Sequence, residues 1–271
     1  MLLNVKNILF KYPAGQLVLK GANFSADKSE VVSIIGPNGS GKTTLLLIAA
    51  GLLEPNKGEV LLEERNIRDQ LPEIRRRIGL VFQDPDDQLF NPTVREEILF
   101  TLRQLFSNSK VIKDKISNIA KKFELKSILD KPPYRLSMGE KRIISLASIL
   151  AYDPDLLLLD EPTANLSSIP IDKIEKIIKK AKNSGKSIVI ASHDVEFIAK
   201  VSDRIYVIDS GRMLGGTDTR SVLSDDHLLS LADMKPPLVS QTLRALGVKK
   251  QKIPLTIDEL KVSKSQFLKK L

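Results

Sequence analysis

Residues 31–44 read VVSIIGPNGSGKTT, and this stretch decides how the rest of the chain is interpreted. Residues 31–35 are mostly β-branched and predict a buried strand that stops at Gly36-Pro37. The next eight residues fit the spacing G-x-x-x-x-G-K-[ST], and helical periodicity follows from Lys42 to Leu53. Glycines allow successive backbone N–H groups to point inward, and a helix N-terminus adds the positive end of its dipole. The stretch therefore predicts a strand, a phosphate-binding loop and a helix.

The side chains of this loop predict how a nucleoside triphosphate and its magnesium ion are held. Lys42 is expected to bind the β- and γ-phosphates through a charge-assisted bond worth about 1.5–3 kcal/mol. Thr43 is expected to ligate Mg²⁺ through its hydroxyl. A chance glycine-rich turn is the alternative, which the preceding strand and following helix disfavour. The candidate ATP-binding residues here are Gly36, Pro37, Asn38, Gly39, Ser40, Gly41, Lys42, Thr43 and Thr44.

A second apolar run, Leu156–Leu159, ends in two acidic residues, Asp160 and Glu161. Carboxylates at the carboxyl edge of a parallel sheet lie beside a phosphate loop of this kind. We expect Asp160 to hold Mg²⁺, directly or through water. We expect Glu161 to orient or deprotonate the attacking water, a role that typically contributes about 10²–10⁴-fold in rate. An acidic strand end by itself predicts only a helix N-cap, but the phosphate loop favours the catalytic interpretation.

Strand-like and helical segments alternate along most of the chain, which predicts an α/β fold with a parallel sheet covered by helices on both faces. Residues 84–136 form a mostly helical insert, and a small helical appendage is expected beyond residue 225. Strands are predicted within residues 2–35 and at 59–62, 77–82, 156–160, 187–191 and 204–208. Helices are predicted at 42–53, from Thr93, at 113–123, from Ser137, at 171–183, 194–201 and 238–246, and from Thr256.

The composition excludes several classes of site. The 271 residues contain no cysteine, which excludes disulfides, thiolate zinc sites and a cysteine nucleophile. No leader peptide is recognised, and the apolar runs fall well short of the roughly 18 residues of a membrane span. We therefore expect a soluble intracellular protein whose membrane role is peripheral.

The net charge of +9 leaves two interpretations open. It fits a nucleic-acid or anionic-lipid partner, or a lysine-rich and glutamate-rich solvated surface. The lysines are scattered along the chain and do not gather in one patch that alternates with aromatic residues. The second interpretation is favoured, and no nucleic-acid partner is expected.

The segment Leu136-Ser137-Met138-Gly139-Glu140 predicts by itself only a capping box that opens a helix. Together with the phosphate loop and the acidic strand end, it resembles the signature of ABC ATPases. The resemblance covers residues 1–225. It implies a P-loop NTPase fold with a parallel-sheet core, an antiparallel β subdomain and an α-helical subdomain at about 84–152. Residues 226–271 would form the C-terminal helical extension, which is expected to help hold two ATPase chains together.

The resemblance assigns roles to residues that carry no clear signal alone. Tyr12 matches the aromatic residue that stacks on adenine, and an ordinary strand aromatic is its alternative. Gln83 matches the glutamine that senses Mg²⁺ and reports nucleotide state to the membrane subunit. His193 matches the histidine that contacts the γ-phosphate. Each of the latter two is otherwise an ordinary residue at a strand end.

In this family the signature of one chain closes over the nucleotide of a second chain. Ser137 and the backbone at Gly139, with Glu140 beside them, are therefore expected at a partner's γ-phosphate. ATP then joins the two ATPase chains, and hydrolysis allows them to part.

Residues 81–90, VFQDPDDQLF, and the segment from Pro236 to Leu260 resemble ATPases of energy-coupling factor transporters. This resemblance implies a peripheral location on the cytoplasmic face of the cell membrane. It also implies a transmembrane scaffold subunit and a separate membrane subunit that captures a vitamin or a metal ion. The groove near Leu89, Phe90 and the helix from Thr93 would receive the scaffold, unless these side chains only pack inside the helical insert.

Three residues depart from the family pattern. Met138 and Glu140 replace a glycine and a glutamine of the signature, and Ser167 replaces a loop aspartate. We therefore expect an unequal heterodimer with a second ABC ATPase in preference to a homodimer. Two other functions remain open: the ATPase of another ABC transporter class, and a soluble ABC protein that acts on nucleic acid or ribosomes.

Overall fold

A computed structural model describes residues 1–13, 15–248 and 253–267, and it contains two sheets. The first is antiparallel, with its strands in the order β2-β1-β4-β5. Its strands are β1 (Leu3–Lys11), β2 (Leu17–Ala26), β4 (Lys57–Leu62) and β5 (Arg65–Asn66). Alternate residues of β1 are buried, as expected of a sheet with one face on the core.

The second sheet has six strands in the order β10-β9-β3-β8-β7-β6. Its strands are β3 (Val31–Ile35), β6 (Ile78–Val81), β7 (Leu156–Asp160), β8 (Ser187–Ala191), β9 (Arg204–Asp209) and β10 (Arg212–Asp218). Neighbours from β9 to β6 are parallel, and β10 adds an antiparallel edge. Every residue of β3, β7 and β8 is buried, because helices or the first sheet cover both faces.

Ten α-helices lie within the described residues. They are α1 (Lys42–Ala49), α2 (Val94–Leu105), α3 (Ser109–Lys122), α4 (Met138–Leu150), α5 (Ser168–Asn183), α6 (Val195–Val201), α7 (Thr219–Leu223), α8 (Asp226–Leu231), α9 (Leu238–Ala245) and α10 (Ile257–Phe267). In the part of the chain that the structure describes, none is both long and apolar enough to cross a bilayer. The predicted α/β class, with its parallel core, antiparallel β subdomain and helical subdomain, is confirmed.

Alternation along the parallel strands divides the core into two layers. Leu157 and Leu159 pack with α2 to α5 on one face of the sheet. Leu156 and Leu158 pack with α1 and the antiparallel sheet on the other face. Each such buried leucine stabilises the fold by roughly 1.5–3 kcal/mol relative to exposure. A third cluster joins β9 to α7 and α8 and includes Leu255, so part of the chain beyond residue 225 packs on the parallel sheet.

Three predicted helix boundaries were wrong. The helix α1 ends at Ala49, because Gly51 takes φ +72° and turns the chain before Leu53. The helix α3 begins at Ser109, where the side chain of Asn108 caps its first turn. The helix α5 begins at Ser168, since a proline in the first turn is compatible with a helix.

Residues 93–96 and 256–259 have the Thr-x-x-Glu spacing of a capping box, but each forms only half of one. Thr93 accepts a bond from the Glu96 amide, but the Glu96 carboxylate pairs with Arg103. Thr256 accepts a bond from the Glu259 amide at 3.2 Å. The carboxylate of Glu259 instead accepts bonds from Leu255 and Arg220. In both cases a longer-range cation competes for the acidic side chain.

A small ion-pair network ties the two sheets together. Arg77, just before β6, donates to Glu63 at 2.8 Å and to Asp155 at 2.6 Å. Lys28 contacts the second carboxylate oxygen of Glu63 at 2.7 Å. Glu63 lies in the turn between β4 and β5, whereas Asp155 directly precedes β7. The network therefore fixes the antiparallel sheet against the edge of the parallel one.

Replacing Glu63 with glutamine should lower stability at neutral pH but not in strong acid. The hydrogen bonds from Lys28 and Arg77 lower the pKa of Glu63 from 4.5 to about 2. A carboxyl group with a depressed pKa contributes stability above its unfolded pKa and loses it as the pH falls through its folded pKa. The difference in unfolding free energy between wild type and Glu63→Gln should thus be constant above pH 4.5 and vanish by about pH 2. Urea unfolding at a series of pH values measures it.

Glu64→Gln is the matched control, because Glu64 lies in the same turn, also has a positive φ, and makes no ion pair among the described residues. Its effect should be small and independent of pH. A pH-independent effect of Glu63→Gln would show that the network is not what the substitution removes.

Candidate functional site

The phosphate loop spans residues 36–41, between the end of β3 and the start of α1. Gly39 and Gly41 have φ of +78° and +107°, a region that other L residues rarely adopt. Gly36 is required for a different reason. A Cβ atom there would lie 2.2 Å from the backbone oxygen of Ile208 on β9. The loop therefore curls tightly against the sheet because glycine permits both its torsions and its contacts.

Lys42 is buried at the centre of this loop. Its Nζ donates to the backbone oxygens of Gly36 at 2.7 Å and Pro37 at 3.1 Å. Burial lowers the pKa of Lys42, and the negative charges of Glu161 and Asp160 oppose that shift. The loop thus positions an ammonium group where the phosphates of a bound triphosphate are expected.

Two buried polar atoms have no hydrogen-bond partner, namely Ser40 Oγ in the loop and Asp160 Oδ1 beside it. Unpaired buried polar atoms are uncommon in native proteins and are typical of a site that a ligand or an ion completes. Burial raises the pKa of Asp160, whereas the hydroxyl of Thr43 and the charge of Lys42 act in the other direction. A cation next to Asp160 would offset this burial cost.

The donor set fits Mg²⁺ better than a metal that needs many protein ligands. Thr43 supplies a hydroxyl and Asp160 supplies a carboxylate. Within the described residues no three His, Cys, Asp or Glu side chains form a metal-binding cluster. Protein-bound Mg²⁺ typically uses one or two carboxylates together with substrate phosphates and water.

Glu161 and His193 meet at the carboxyl edge of the sheet, although they follow different strands. The Nδ1 atom of His193 lies 2.8 Å from Glu161 Oε2, and its backbone N–H donates to the same oxygen at 3.3 Å. Asp160 pairs with Ala191 across β7 and β8, which brings the two strand ends level. Glu161 also has φ +44°, a strained backbone value that is typical of functional positions.

Tyr12 also lies next to the phosphate loop. Its hydroxyl is 3.2 Å from Thr44 Oγ1 in α1. Its ring packs edge-on against Phe10 at 4.8 Å between centroids and is 40% exposed. The side chain is therefore held in place by Phe10 and Thr44 while part of the residue stays exposed to solvent.

Gln83 follows β6, the neighbour of β7, and its side chain is exposed. Its backbone oxygen accepts a hydrogen bond from Arg142 at 2.5 Å. The structure thus places Gln83 at the same sheet edge as Asp160 and Glu161.

The signature residues lie apart from this chain's own phosphate loop. Ser137 caps α4 in a complete capping box, with its Oγ 2.7 Å from Glu140 Oε2. These bonds from Ser137 lower the pKa of Glu140. Gly139 is buried, and a Cβ there would lie 2.7 Å from Pro170 Cγ in α5. Ser137 and Met138 are exposed, so they form the accessible part of this helix start.

The sequence interpretation missed Arg142. This arginine of α4 is 1% exposed and donates to the backbone oxygens of Phe82 and Gln83. A charged residue directly before the apolar stretch 143–151 was the available signal. The pattern could not show whether that charge points to solvent or inward, because a helix start has both kinds of position.

Alanine at Gly36 should be far more harmful than alanine at Gly39. Gly36→Ala forces a methyl group against the β9 backbone, which cannot move without separating two strands, and should cost at least about 3 kcal/mol. Gly39 has open space around its missing Cβ, so Gly39→Ala should cost only the left-handed torsion, about 1–2 kcal/mol. Urea unfolding measures both. Equal losses would show that steric contact with Ile208 does not dictate the glycine.

Comparison with known proteins agrees with this geometry. The family profile described as ABC transporter matches residues 19–164. The energy-coupling factor transporter ATP-binding protein EcfA of Methanocaldococcus jannaschii is 37% identical over 275 residues, which cover 99% of this chain and 98% of that protein.

Two solved structures extend the similarity to three dimensions. The protein cbiO1 from Clostridium perfringens, described as part of the ABC transporter complex cbiONQ, has a TM-score of 0.77 and 29% identity over 91% of this chain and 99% of that one. A dimeric ATP-binding cassette, MJ0796 bound to ADP and Pi, has a TM-score of 0.72 and 29% identity over 80% of this chain and 99% of that one. With the profile covering more than half of the sequence, the chain belongs to the ABC transporter family and is one of its ATP-hydrolysing subunits.

Proposed function

We propose that this chain is the ATPase of an energy-coupling factor type importer and powers the uptake of a vitamin or a transition-metal ion. The observation that carries its ATPase role is the convergence of Lys42, Asp160 and the Glu161–His193 pair at one sheet edge. Similarity to EcfA over nearly the whole chain supports the transporter type. A separate membrane subunit recognises the captured solute, so the residues of this chain do not identify which vitamin or metal ion it is.

The phosphate loop and its lysine bind the triphosphate. Backbone N–H groups of the loop and the first turn of α1 donate to phosphate oxygens. Lys42 exchanges its bonds to the Gly36 and Pro37 carbonyls for bonds to phosphate. Thr43, Asp160 and Gln83 would hold Mg²⁺, which when bound neutralises phosphate charge during transfer. Tyr12 supplies a surface on which adenine stacks.

Glu161 acts as the general base. Its carboxylate accepts the proton of the attacking water, and its strained backbone fixes the direction of the side chain. The bond between Glu161 Oε2 and His193 Nδ1 leaves Nε2 as the ring nitrogen available to contact the γ-phosphate. Because one carboxylate oxygen orients the histidine, the base and the γ-phosphate sensor are positioned together.

A second chain completes each nucleotide site. The α4 start carries Ser137 and Met138 outward, and among the described residues none of its hydrogen bonds reaches its own phosphate loop. This arrangement fits a signature that closes over the partner's ATP. A related cassette, MJ0796, was solved as a dimer with ADP and Pi.

The partner is a different ATPase chain, which makes the dimer unequal. Glu140 places a negative charge at the helix start that is expected to face a γ-phosphate, and its bond to Ser137 occupies that hydroxyl. Met138 adds a side chain where the family has glycine. Ser167, the N-cap of α5, makes no side-chain cap bond and lacks the charge of the family's aspartate. The site completed by this signature is therefore the slower one.

The helical subdomain offers an apolar surface to a membrane scaffold. Phe90 is 67% exposed and Phe100 is 42% exposed, and their rings pack edge-on at 5.0 Å. Phe100 belongs to α2. Three other residues of α2 line a groove of about 780 Å³ between α2 and α3, namely Arg95, Leu99 and Arg103. Exposed aromatic side chains of this size are typical of a binding surface. Docking there would hold the chain peripherally on the cytoplasmic face of the membrane.

Two substitutions at the site test the ATPase mechanism. Glu161→Gln should retain Mg-ATP binding but lower kcat by about 10²–10⁴-fold, because the base is removed while the phosphate contacts remain. Lys42→Ala should instead weaken ATP binding. Isothermal titration and phosphate-release assays separate the two effects. Wild-type chain that folds but binds no Mg-ATP would refute the proposed function.

The same Glu161→Gln chain tests the composition of the dimer. With ATP it should form a stable complex with a second ABC ATPase of the same cell in preference to itself, as measured by native mass spectrometry of an equimolar mixture. Full ATPase turnover by the wild-type chain alone at low concentration would contradict the unequal heterodimer.

Phe100→Asp should abolish scaffold binding without affecting ATP affinity. A charge placed in the aromatic surface should reduce co-purification with the membrane subunits by at least about tenfold, because burying an unpaired carboxylate is costly. Leu214→Asp is the matched control, since Leu214 is 43% exposed on β10. Undiminished co-purification of Phe100→Asp would exclude this surface as the scaffold contact.

A further inference from the structure

Arg142 is the largest side chain among those less than 2% exposed in the described residues. Its Nη1 donates to the backbone oxygen of Phe82 at 2.6 Å, and its Nη2 donates to that of Gln83 at 2.5 Å. Two consecutive carbonyl groups are thus held by one planar guanidinium, whose fork geometry fixes direction as well as distance. These two hydrogen bonds fix the direction in which the chain continues after β6 ends at Val81.

The burial of this charge needs an explanation beyond stability. In the described part of the chain no carboxylate lies within ion-pair distance of Arg142, and its Nε has no partner. Burial lowers the pKa of Arg142, and the more distant charges of Asp84, Asp160 and Glu161 oppose the shift. A buried, unpaired charge is costly, and similar packing is available from an apolar residue. Because burying this charge lowers stability, we infer that the two hydrogen bonds serve to position the Phe82 and Gln83 backbone.

The two carbonyl groups lie beside the catalytic carboxylates. Val81 on β6 pairs with Leu159 on β7 in a parallel register. The next residues of each strand therefore run side by side, with Phe82 and Gln83 alongside Asp160 and Glu161. The bond from Arg142 fixes the backbone of Gln83 and so fixes the position from which the Gln83 side chain must reach the Mg²⁺ site.

A neighbouring contact from the same helix reinforces this attachment. Lys141 Nζ contacts Asp86 at 2.6 and 2.9 Å, and the lysine side chain is largely buried. Residues 82–86 are therefore held to α4 at both ends. The same helix begins at Ser137, so one rigid element joins the outward-facing signature to the loop of this chain's own site.

We propose that Arg142 is a positioning residue that holds Gln83 against the Mg²⁺ site and makes the metal response of that site depend on where α4 sits. This inference rests on the proposed function. When a partner's nucleotide draws the start of α4, the Phe82 and Gln83 carbonyls move with it. The signature and this chain's own metal site are thereby linked through two hydrogen bonds.

Arg142→Lys is the direct test, because lysine keeps the charge but is a point donor that cannot hold both carbonyls in a fork. In the full-length chain it should raise the Mg²⁺ concentration for half-maximal ATPase activity by about 10- to 100-fold, the usual cost of removing a group that orients a metal ligand. Affinity for ATP in EDTA should stay within about twofold, since the phosphate loop is untouched. Arg142→Gln removes the buried charge and leaves a single donor nitrogen, so it can bond only one of the two carbonyl groups. It should shift the Mg²⁺ requirement in the same direction, and it replaces Arg142→Lys in the test if the lysine variant is unstable.

Tyr152→Phe is the matched control. The Tyr152 hydroxyl donates to the backbone oxygen of Ile78, which begins β6, whereas Gln83 follows the other end of that strand. The control should lower the thermal midpoint but leave the Mg²⁺ requirement unchanged. If it shifts the Mg²⁺ requirement as much as Arg142→Lys, general loosening of β6 explains the effect and the proposal is wrong.

A double variant shows whether Arg142 acts through Gln83. Gln83→Ala should itself raise the Mg²⁺ requirement, and adding Arg142→Lys to it should produce little further change. Additive effects would overturn the proposal, as would a folded Arg142→Lys chain with the wild-type Mg²⁺ requirement. Both results would contradict the role of Arg142 but not the ATPase function. Absence of Mg-ATP binding by the wild-type chain would contradict both the ATPase function and this inference.

Discussion

The structure depends on one constraint, which is that a buried parallel strand must end in a loop tight enough to direct backbone N–H groups at phosphate. Strand β3 is buried on both faces and runs directly into Gly36, whose missing side chain lets the loop contact the Ile208 carbonyl. Helix α1 then begins at Lys42, and the lysine side chain reaches back to the backbone carbonyl groups of Gly36 and Pro37. The neighbouring strand ends supply the remaining chemistry because parallel strands share one carboxyl edge.

The charges at this edge are buried in a nearly balanced set. Lys42 and Arg142 lie near Asp160 and Glu161, and each group is less than a tenth exposed. Burial lowers the pKa of Lys42 and of Arg142 and raises the pKa of Asp160, and the neighbouring opposite charges partly offset these shifts. The balance is incomplete, since Ser40 Oγ, Asp160 Oδ1 and Arg142 Nε lack partners. A site with such unpaired atoms is organised before its ligand binds and is completed by a ligand that brings both negative charge and a cation.

Helix α4 serves two surfaces at once. Its start carries Ser137 and Met138 outward in a capping box, whereas Lys141 and Arg142, one turn later, hold the loop of residues 82–86. Gly139 lets the same turn pack against Pro170 of α5. Because these bonds attach both ends of the loop to α4, a displacement of the helix start would also displace the loop. In the dimer proposed above, this arrangement would link the signature at the start of α4 to the nucleotide site of the same chain.

The sequence by itself determined the strand, loop and helix of residues 31–44, the acidic end of β7 and the α/β class. These signals are local, since they depend on glycine torsions, β-branched runs and apolar periodicity. It misplaced the end of α1 and the starts of α3 and α5, where capping and a tight turn decide the boundary. Only the tertiary structure decided that Arg142 points inward, that Glu161 bonds His193, and that Glu96 and Glu259 leave their capping boxes. Those outcomes depend on partners 7 to 60 residues away. The spacing of residues along the chain does not show which distant group a polar side chain will bond.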